Sequence, residues 1–268
     1  MTYTSGTTTR YARDYKTFFD LSGKRAIVVG GGNGMGRESA LALAANGAEV
    51  IVADLDLVAA KETASHGHNL TAYELDATSL ESIDRAVREL GAIDTLVITA
   101  GTNVRKLLLD YSSAEFERVV GLNLRAQFDL IRGFGRGMAE RGSGSIIGFS
   151  SMRASTVEPG QGVYAATKAG LVQLLRTVAA ELGPQGVRAN AIAPGAVDTP
   201  LTAPIRGNKE WNEAYASKSA LQRWAHPSEI AGAVVFLASD AASFVTGSQL
   251  AVDGGWTAVD GRYSPPTG

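Results

Sequence analysis

The chain has 268 residues, 45% of them hydrophobic, which is enough to bury a substantial core within one large α/β domain. A net charge of −2 and a pI near 6.0 exclude broad electrostatic attraction to nucleic acid or anionic lipid. With no cysteine, disulfides, thiolate metal ligands and a cysteine nucleophile are excluded, and the composition fits a reducing cytoplasm.

Residues 1–20 are threonine-rich and punctuated by Tyr3, Tyr11, Tyr15, Phe18 and Phe19. They are expected to form a tail that is disordered or packs on a neighbouring subunit and carries no chemistry. This stretch has no signal-like apolar core, and no later run is long and apolar enough to span a bilayer. A soluble cytoplasmic protein with no membrane partner is therefore expected.

From residue 21 to 268 the pattern predicts a single domain. A strand over 26–29 leads into GGGNGMG and a helix over 37–45, stopped by Gly47. A strand over 50–53 ends at Asp54, followed by a helix from about Leu57, a strand over 71–75 and a helix over 80–90. The strand 95–98 ends in Thr99-Ala100-Gly101. Ser112-Ser113-Ala114-Glu115 matches a capping box and predicts one long amphipathic helix reaching Glu140. The strand 145–149 ends at Ser150 and Ser151. Beyond it, Val163, Leu171, Leu174, Leu175 and Val178 recur at helical spacing. A strand over 187–192 closes at Pro194-Gly195, and residues 199–225 lose the pattern. Pro227 with Glu229 opens a helix to about Ala238, and a last strand over 249–252 precedes Asp253-Gly254-Gly255. Such alternation builds βαβ units. With right-handed crossovers it predicts an α/β, Rossmann-like, doubly wound parallel sheet with ligands at the carboxyl ends of its strands.

Gly30, Gly34 and Gly36 stand between a strand and a helix. Without side chains there, the backbone turns tightly and a pyrophosphate can approach the helix N-terminus. Asp54, 18 residues beyond Gly36, is placed to accept hydrogen bonds from adenosine ribose hydroxyls. Its carboxylate would repel a 2′-phosphate, so NAD is expected over NADP. Asn33 is not basic, and Arg37 falls inside the helix. Farther on, Tyr164 and Lys168 lie four apart and share one helix face opposite Ser151. Ala165, Ala166, Thr167, Ala169 and Gly170 are too small to shield them, so phenol and ammonium are expected to be exposed side by side. A free tyrosine titrates near pH ~10, and a neighbouring ammonium favours its phenolate.

The Gly-x-x-x-Gly-x-Gly spacing, together with Tyr164-Ala-Ala-Thr-Lys168, resembles the short-chain dehydrogenase/reductase family. The resemblance covers nearly all of residues 22–256. Ser151 stands 13 residues before Tyr164, Asn123 lies in GLNLRA, Asp76 in LDAT, and NAIAPGAVDTP and VDGG follow in order. The resemblance implies Tyr164 as general acid/base, Ser151 holding the reacting oxygen, Lys168 on the nicotinamide ribose and Asn123 positioning a water in the proton path. It also implies NAD contacts from Gly30, Asn33, Gly34, Met35, Gly36 and Asp54, from Asp76 and Ala77 at the adenine, and from Ala100 and Gly101. Pro194, Gly195, Val197 and Thr199 would line the nicotinamide. A homotetramer is implied, its helices at about 114–140 and 163–182 pairing between subunits. In one departure, Thr99 stands where the family usually has asparagine. A local structural adjustment without loss of catalysis is expected.

Substrate contacts are expected from Asn103, Arg105, Arg153, Glu158 and Gln161, with a lid near 199–225. This hydrogen-bonding inventory favours a polyol, sugar or hydroxy acid over a steroid. DYKTFFDLSGK, GRGMAERGSG and SSM are similar to segments of bacterial sugar-alcohol dehydrogenases, which puts a polyol first. Arg153 and Arg105 keep a hydroxy acid or another carbonyl compound open, because a guanidinium pairs well with a carboxylate. A non-catalytic NAD-binding sensor is the alternative of a different class. Its mark would be a lost tyrosine or lysine, and both are present. His66-Gly67-His68 lacks a third ligand, so no metal is expected. Asp253 reads as a turn residue, and Trp211, Tyr215 and Trp224 as the packing of a mobile segment.

Overall fold

Mostly aliphatic runs form the central strands, as a parallel sheet covered on both faces requires. The computed structural model describes residues 15–259. Among them, β1 (Arg25–Val29), β2 (Glu49–Asp54), β3 (Leu70–Glu74), β4 (Thr95–Ile98), β5 (Gly144–Phe149), β6 (Val187–Pro194) and β7 (Gln249–Val252) form one sheet. Its order is β3-β2-β1-β4-β5-β6-β7, and every pair is parallel. The order reverses between β1 and β4, which opens a crevice at their carboxyl ends. Most of the expected tail, residues 1–14, lies outside the described residues. Tyr15–Thr17 is a single 3₁₀ turn.

Strand alternation sends neighbouring side chains to opposite faces. Ile27, Leu96, Ile98 and Ile146 meet Ile83 of α3 (Leu80–Leu90), Leu130 and Phe134 of α5 (Ala126–Arg141), and Leu171 and Leu175 of α6 (Gly162–Leu182). On the other face, Val28, Val50, Val97 and Ile147 meet Ala40 and Leu43 of α1 (Gly34–Ala45) and Ile230 and Val234 of α9 (Ser228–Ala238). The smaller α2 (Leu57–Ala64) is capped by Asp56, whose side chain accepts from Val58 N and Ala59 N. No helix among the described residues is long and apolar enough to cross a membrane.

Three local expectations change. First, α1 begins at Gly34 and not near Arg37, because the last glycines of the loop are already its first turn. Second, the single helix expected to reach Glu140 is broken. The capping box forms as expected and opens α4 (Ser113–Val120), but Gly121–Arg125 is a π turn, and α5 then runs to Arg141. The wider turn absorbs an extra residue without ending the helix. Third, residues 199–225 are largely helical, with α7 (Ala203–Arg206) and α8 (Lys209–Lys218), the latter capped by Asn208 accepting from Trp211 N. Their apolar residues do not face the sheet. Ile205, Tyr215 and Trp224 pack instead with Met152, Ala196 and Trp256, which explains the missing periodicity.

The tightest point of the fold is the junction of β1 and α1. Gly30 has φ +84°, and a Cβ on Gly36 would run into the Gly30 carbonyl and lie 2.6 Å from Thr99 Oγ1. We predict that Gly36→Ala destabilises the protein by about 1–3 kcal/mol through overpacking. Thermal unfolding should show Tm falling by roughly 2–4 °C per kcal/mol, and an unchanged Tm would contradict this packing.

Candidate active site

The glycine loop is pinned to the sheet by its own backbone. Gly30 N and Gly31 N donate to Ala53 O at 2.8 and 3.1 Å, and buried Thr63 Oγ1 donates to Gly32 O at 3.1 Å. Asp54, at the end of β2, accepts from Gly32 N at 2.9 Å and from Asp56 N at 3.0 Å. Its carboxylate is thereby fixed at the lip of the loop. Thr99 Oγ1 donates to both Val29 O and Gly30 O at 3.0 Å. The threonine hydroxyl thus ties the end of β4 to β1.

A cleft of about 500 Å³ opens here, lined by Gly30, Asn33, Gly34, Met35, Gly36, Asp54, Asp76, Ala77, Ala100, Gly101 and Thr199. Leu55, Leu75 and Leu122 give it apolar walls. Asn33 sits at the N-cap of α1 but makes no capping bond, so the first-turn N–H groups stay uncapped by its side chain. A side-chain-free approach to a helix N-terminus, apolar walls and a fixed carboxylate fit a dinucleotide. Arg37 is engaged elsewhere, paired with Glu62 at 3.0 Å and touching His66 Nε2 at 3.1 Å.

Part of the expected nicotinamide segment does not line the cleft. Pro194 pairs with Val252, and a Cβ on Gly195 would stand 2.6 Å from Asp253 Cα. Val197 is buried and bridges to Ala225. Gly195 therefore lacks a side chain to let the Asp253 turn pass. Asp253 accepts from Gly255 N, Thr257 N and Thr257 Oγ1, the turn role expected of it.

The π turn delivers Asn123 to the inner edge of the cleft. The residue is fully buried; its Oδ1 accepts from Thr102 N and its Nδ2 donates to Thr102 O, both at 2.8 Å. Nδ2 also reaches Thr167 Oγ1 at 3.3 Å. Lys168 is not exposed beside Tyr164 as expected: it is 3% exposed, and its Nζ donates to Phe149 O at 2.6 Å. The small residues of α6 admit neighbouring segments close to the lysine instead of baring it. A Cβ on Gly101 would lie 3.5 Å from Lys168 Nζ and 3.4 Å from Asn123 Oδ1, so amine, amide and glycine backbone converge.

Burial lowers the Lys168 pKa to about 8. Burial also raises the Tyr164 pKa, opposed by a hydrogen bond with Ser151 and by the charges of Arg105 and Arg153. The ammonium stands 5.6 Å from the Tyr164 ring centroid. Ser151, two residues after β5, also accepts from Arg153 N at 3.1 Å. A phenol, a hydroxyl, an amine of lowered pKa and an amide thus meet beside the cleft, an arrangement able to move a proton.

The five expected substrate residues are brought together, but bonded to one another. Glu158 accepts from Arg153 and Tyr215 at 2.5 Å each, from Gln161 Nε2, and from Arg105 at 3.3 Å. Asn103 Nδ2 donates to Gln161 Oε1 at 3.1 Å. Asn103 Oδ1 and Arg153 Nε are buried without a partner. Tyr215 stacks on Trp224 with centroids 5.5 Å apart, and Arg153 lies 5.5 Å over Trp256. The polar role of Tyr215 and the place of Trp256 were not anticipated. The signal available for Trp256 was its position right after VDGG at a strand's carboxyl end. No metal-binding cluster exists among the described residues.

Comparison with known proteins extends this picture. Residues 30–257 match the family model described as enoyl-(acyl carrier protein) reductase. Galactitol 2-dehydrogenase (L-tagatose-forming) of Cereibacter sphaeroides is 39% identical, covering 91% of this chain and 99% of that one. 2-Dehydro-3-deoxy-D-gluconate 5-dehydrogenase of Pseudoalteromonas atlantica is 36% identical over 89% and 97%. A gluconate 5-dehydrogenase from Burkholderia cenocepacia, crystallised with NADP and tartrate, superposes with a TM-score of 0.87 at 30% identity over 90% and 98%.

The lowered Lys168 pKa has a thermodynamic consequence. Between pH 8 and 10.5 the unfolded chain holds a proton that the folded chain has released, so this group's contribution to stability rises with pH. Below pH 8 its buried charge costs about 3 kcal/mol. We predict that Lys168→Met is more stable than the parent at pH 7 by denaturant unfolding, and that the gap narrows between pH 8 and 10. A gap independent of pH would contradict the shift.

Proposed function

The chain belongs to the short-chain dehydrogenase/reductase family, and on that premise we propose that it oxidises a secondary alcohol of a polyol or sugar alcohol with NAD. The reverse reaction reduces the corresponding ketone. The observation that carries this reading is the meeting of Tyr164, Ser151, Lys168 and Asn123 at the edge of the cleft.

Gly30, Asn33, Gly34, Met35 and Gly36 would hold the pyrophosphate side of the cofactor, Asp54 the adenosine ribose, Asp76 and Ala77 the adenine, and Ala100, Gly101 and Thr199 the nicotinamide half. When bound, the nicotinamide supplies the acceptor for the hydride that leaves the carbinol carbon. Tyr164 takes the hydroxyl proton at its phenolic oxygen while the C–O bond becomes a carbonyl, so one hydride and one proton leave the alcohol. Ser151 donates to the reacting oxygen. Lys168 binds the nicotinamide ribose and, when charged, favours the phenolate. Asn123 holds the water that relays the proton outward.

Asp54 supports NAD over NADP, although the related gluconate 5-dehydrogenase was crystallised with NADP. The hydroxy-acid reading is the weaker one, because Arg105 and Arg153 are already engaged by Glu158. Retention of Tyr164 and Lys168 speaks against a non-catalytic sensor. We further propose that residues 21–268 work as one domain in a cytoplasmic homotetramer. A furrow of about 720 Å³ between α5 and α6, lined by Ile131, Leu174 and Val178 beside exposed Phe128, suits a second copy.

The test is a panel of alditols and sugars assayed by nicotinamide absorbance with both cofactors. NAD should serve at least about tenfold better than NADP, and Tyr164→Phe should lower kcat/KM by about 10²–10⁴-fold. A preference for NADP would overturn the role of Asp54. Turnover that survives Tyr164→Phe would overturn that of the phenol, and no turnover on any alcohol would favour the sensor.

A further inference from the structure

Glu158 lies in the loop between Ser151 and Tyr164, and its carboxylate gathers donors from three separate parts of the fold. Oε2 accepts from Arg153 Nη2, Tyr215 Oη and Gln161 Nε2, and Oε1 from Arg105 Nη1. Arg105 follows β4, Arg153 follows β5, and Tyr215 is on α8. The Arg153 side chain is 7% exposed and that of Glu158 19%, so the pair is shielded from water, unlike a screened surface pair. Arg153 N donates to Ser151 Oγ at 3.1 Å, which places the cluster beside the proposed reacting oxygen.

Two guanidinium groups converging next to a catalytic phenol would ordinarily make a carboxylate subsite. Here the carboxylate comes from the chain itself. We propose that Glu158 is a specificity-determining residue that fills this arginine pair from within, so that the site accepts neutral polyhydroxylated substrates and rejects those carrying a carboxylate. The proposal rests on the polyol-oxidising reading given above.

An acidic substrate faces one or other of two costs that its neutral analogue avoids. To reach the guanidiniums it must evict Glu158, which would then be left largely buried without its cations. To bind without eviction it must bring a second negative charge against the first, sharing donors whose acceptor is already nearly saturated. A neutral alditol meets neither cost, and its hydroxyls both donate and accept. Specificity here comes from a built-in repulsive element and not from extra attraction to the accepted substrate.

The experiment compares matched pairs, galactitol with galactonate and threitol with threonate, in the parent and in Glu158→Gln. The glutamine keeps size and hydrogen bonding but removes the charge. The parent should favour the neutral member of each pair by about tenfold or more in kcat/KM, and Glu158→Gln should shrink that ratio by about tenfold. Taking the ratio cancels any change in Tyr164 ionisation common to both substrates. Should the variant fail to fold, the parent decides alone: threitol should compete with galactitol turnover at least about tenfold more tightly than threonate does. A ratio unchanged by Glu158→Gln, or a parent that favours the acid in either assay, overturns the proposal. A parent that reduces nicotinamide with neither member of any pair overturns the polyol reading, and this inference with it.

Discussion

The site depends on one buried bond, from the Lys168 ammonium to the Phe149 carbonyl. Phe149 is the last residue of β5, so this bond fixes α6 against the carboxyl edge of the sheet. Ser150 Oγ strengthens the clamp by donating to Lys168 O at 3.0 Å. Everything reactive is referenced to it. Tyr164 stands one helical turn before Lys168, Ser151 two residues beyond Phe149, while Gly101 approaches from the end of β4 and Asn123 from the π turn. The cost is a buried charge, visible in the lowered pKa of the lysine. The fold gives up stability here to hold a group that can favour the phenolate.

Around this clamp, backbone geometry does work that side chains cannot. The glycines at the start of α1 bring a helix N-terminus against the end of β1, and Thr99 closes the seam with a single bifurcated hydroxyl. The π turn between α4 and α5 turns Asn123 inward, where both ends of its amide grip the Thr102 backbone. On the far side, the aromatic cluster of α8, Trp224 and Trp256 packs over Arg153 and holds the charged loop in place. The cleft, the Tyr164–Ser151–Lys168–Asn123 group and the Glu158 cluster thus sit side by side along one sheet edge.

The frame was legible because its signals are local. Strands β1, β4 and β5 are short aliphatic runs, the capping box at Ser112 forms, and the glycine spacing with Asp54 marks the cleft in the sequence itself. The misses come from interactions that local pattern does not encode. GLNLR keeps the apolar spacing of an ordinary helix, so nothing in it announces a π turn. Small residues on α6 suggested an exposed lysine, yet the same smallness lets β5 pack close and bury it. The Glu158 cluster joins side chains 53 and 57 residues apart, beyond the reach of any spacing rule. Individual residue types were identified there, but not that one carboxylate engages both guanidinium groups.

Deuterium tracing tests most directly the proposed hydride transfer from a carbinol carbon, in which Tyr164 receives only the hydroxyl proton. A galactitol deuterated at every carbinol carbon is turned over with oxidised nicotinamide cofactor, and the reduced cofactor is analysed by NMR. The account predicts one deuterium at the nicotinamide C4 per turnover, accompanied by slower turnover than with the unlabelled alcohol when chemistry limits the rate. Reduced cofactor without deuterium, with the label released into water, would contradict it.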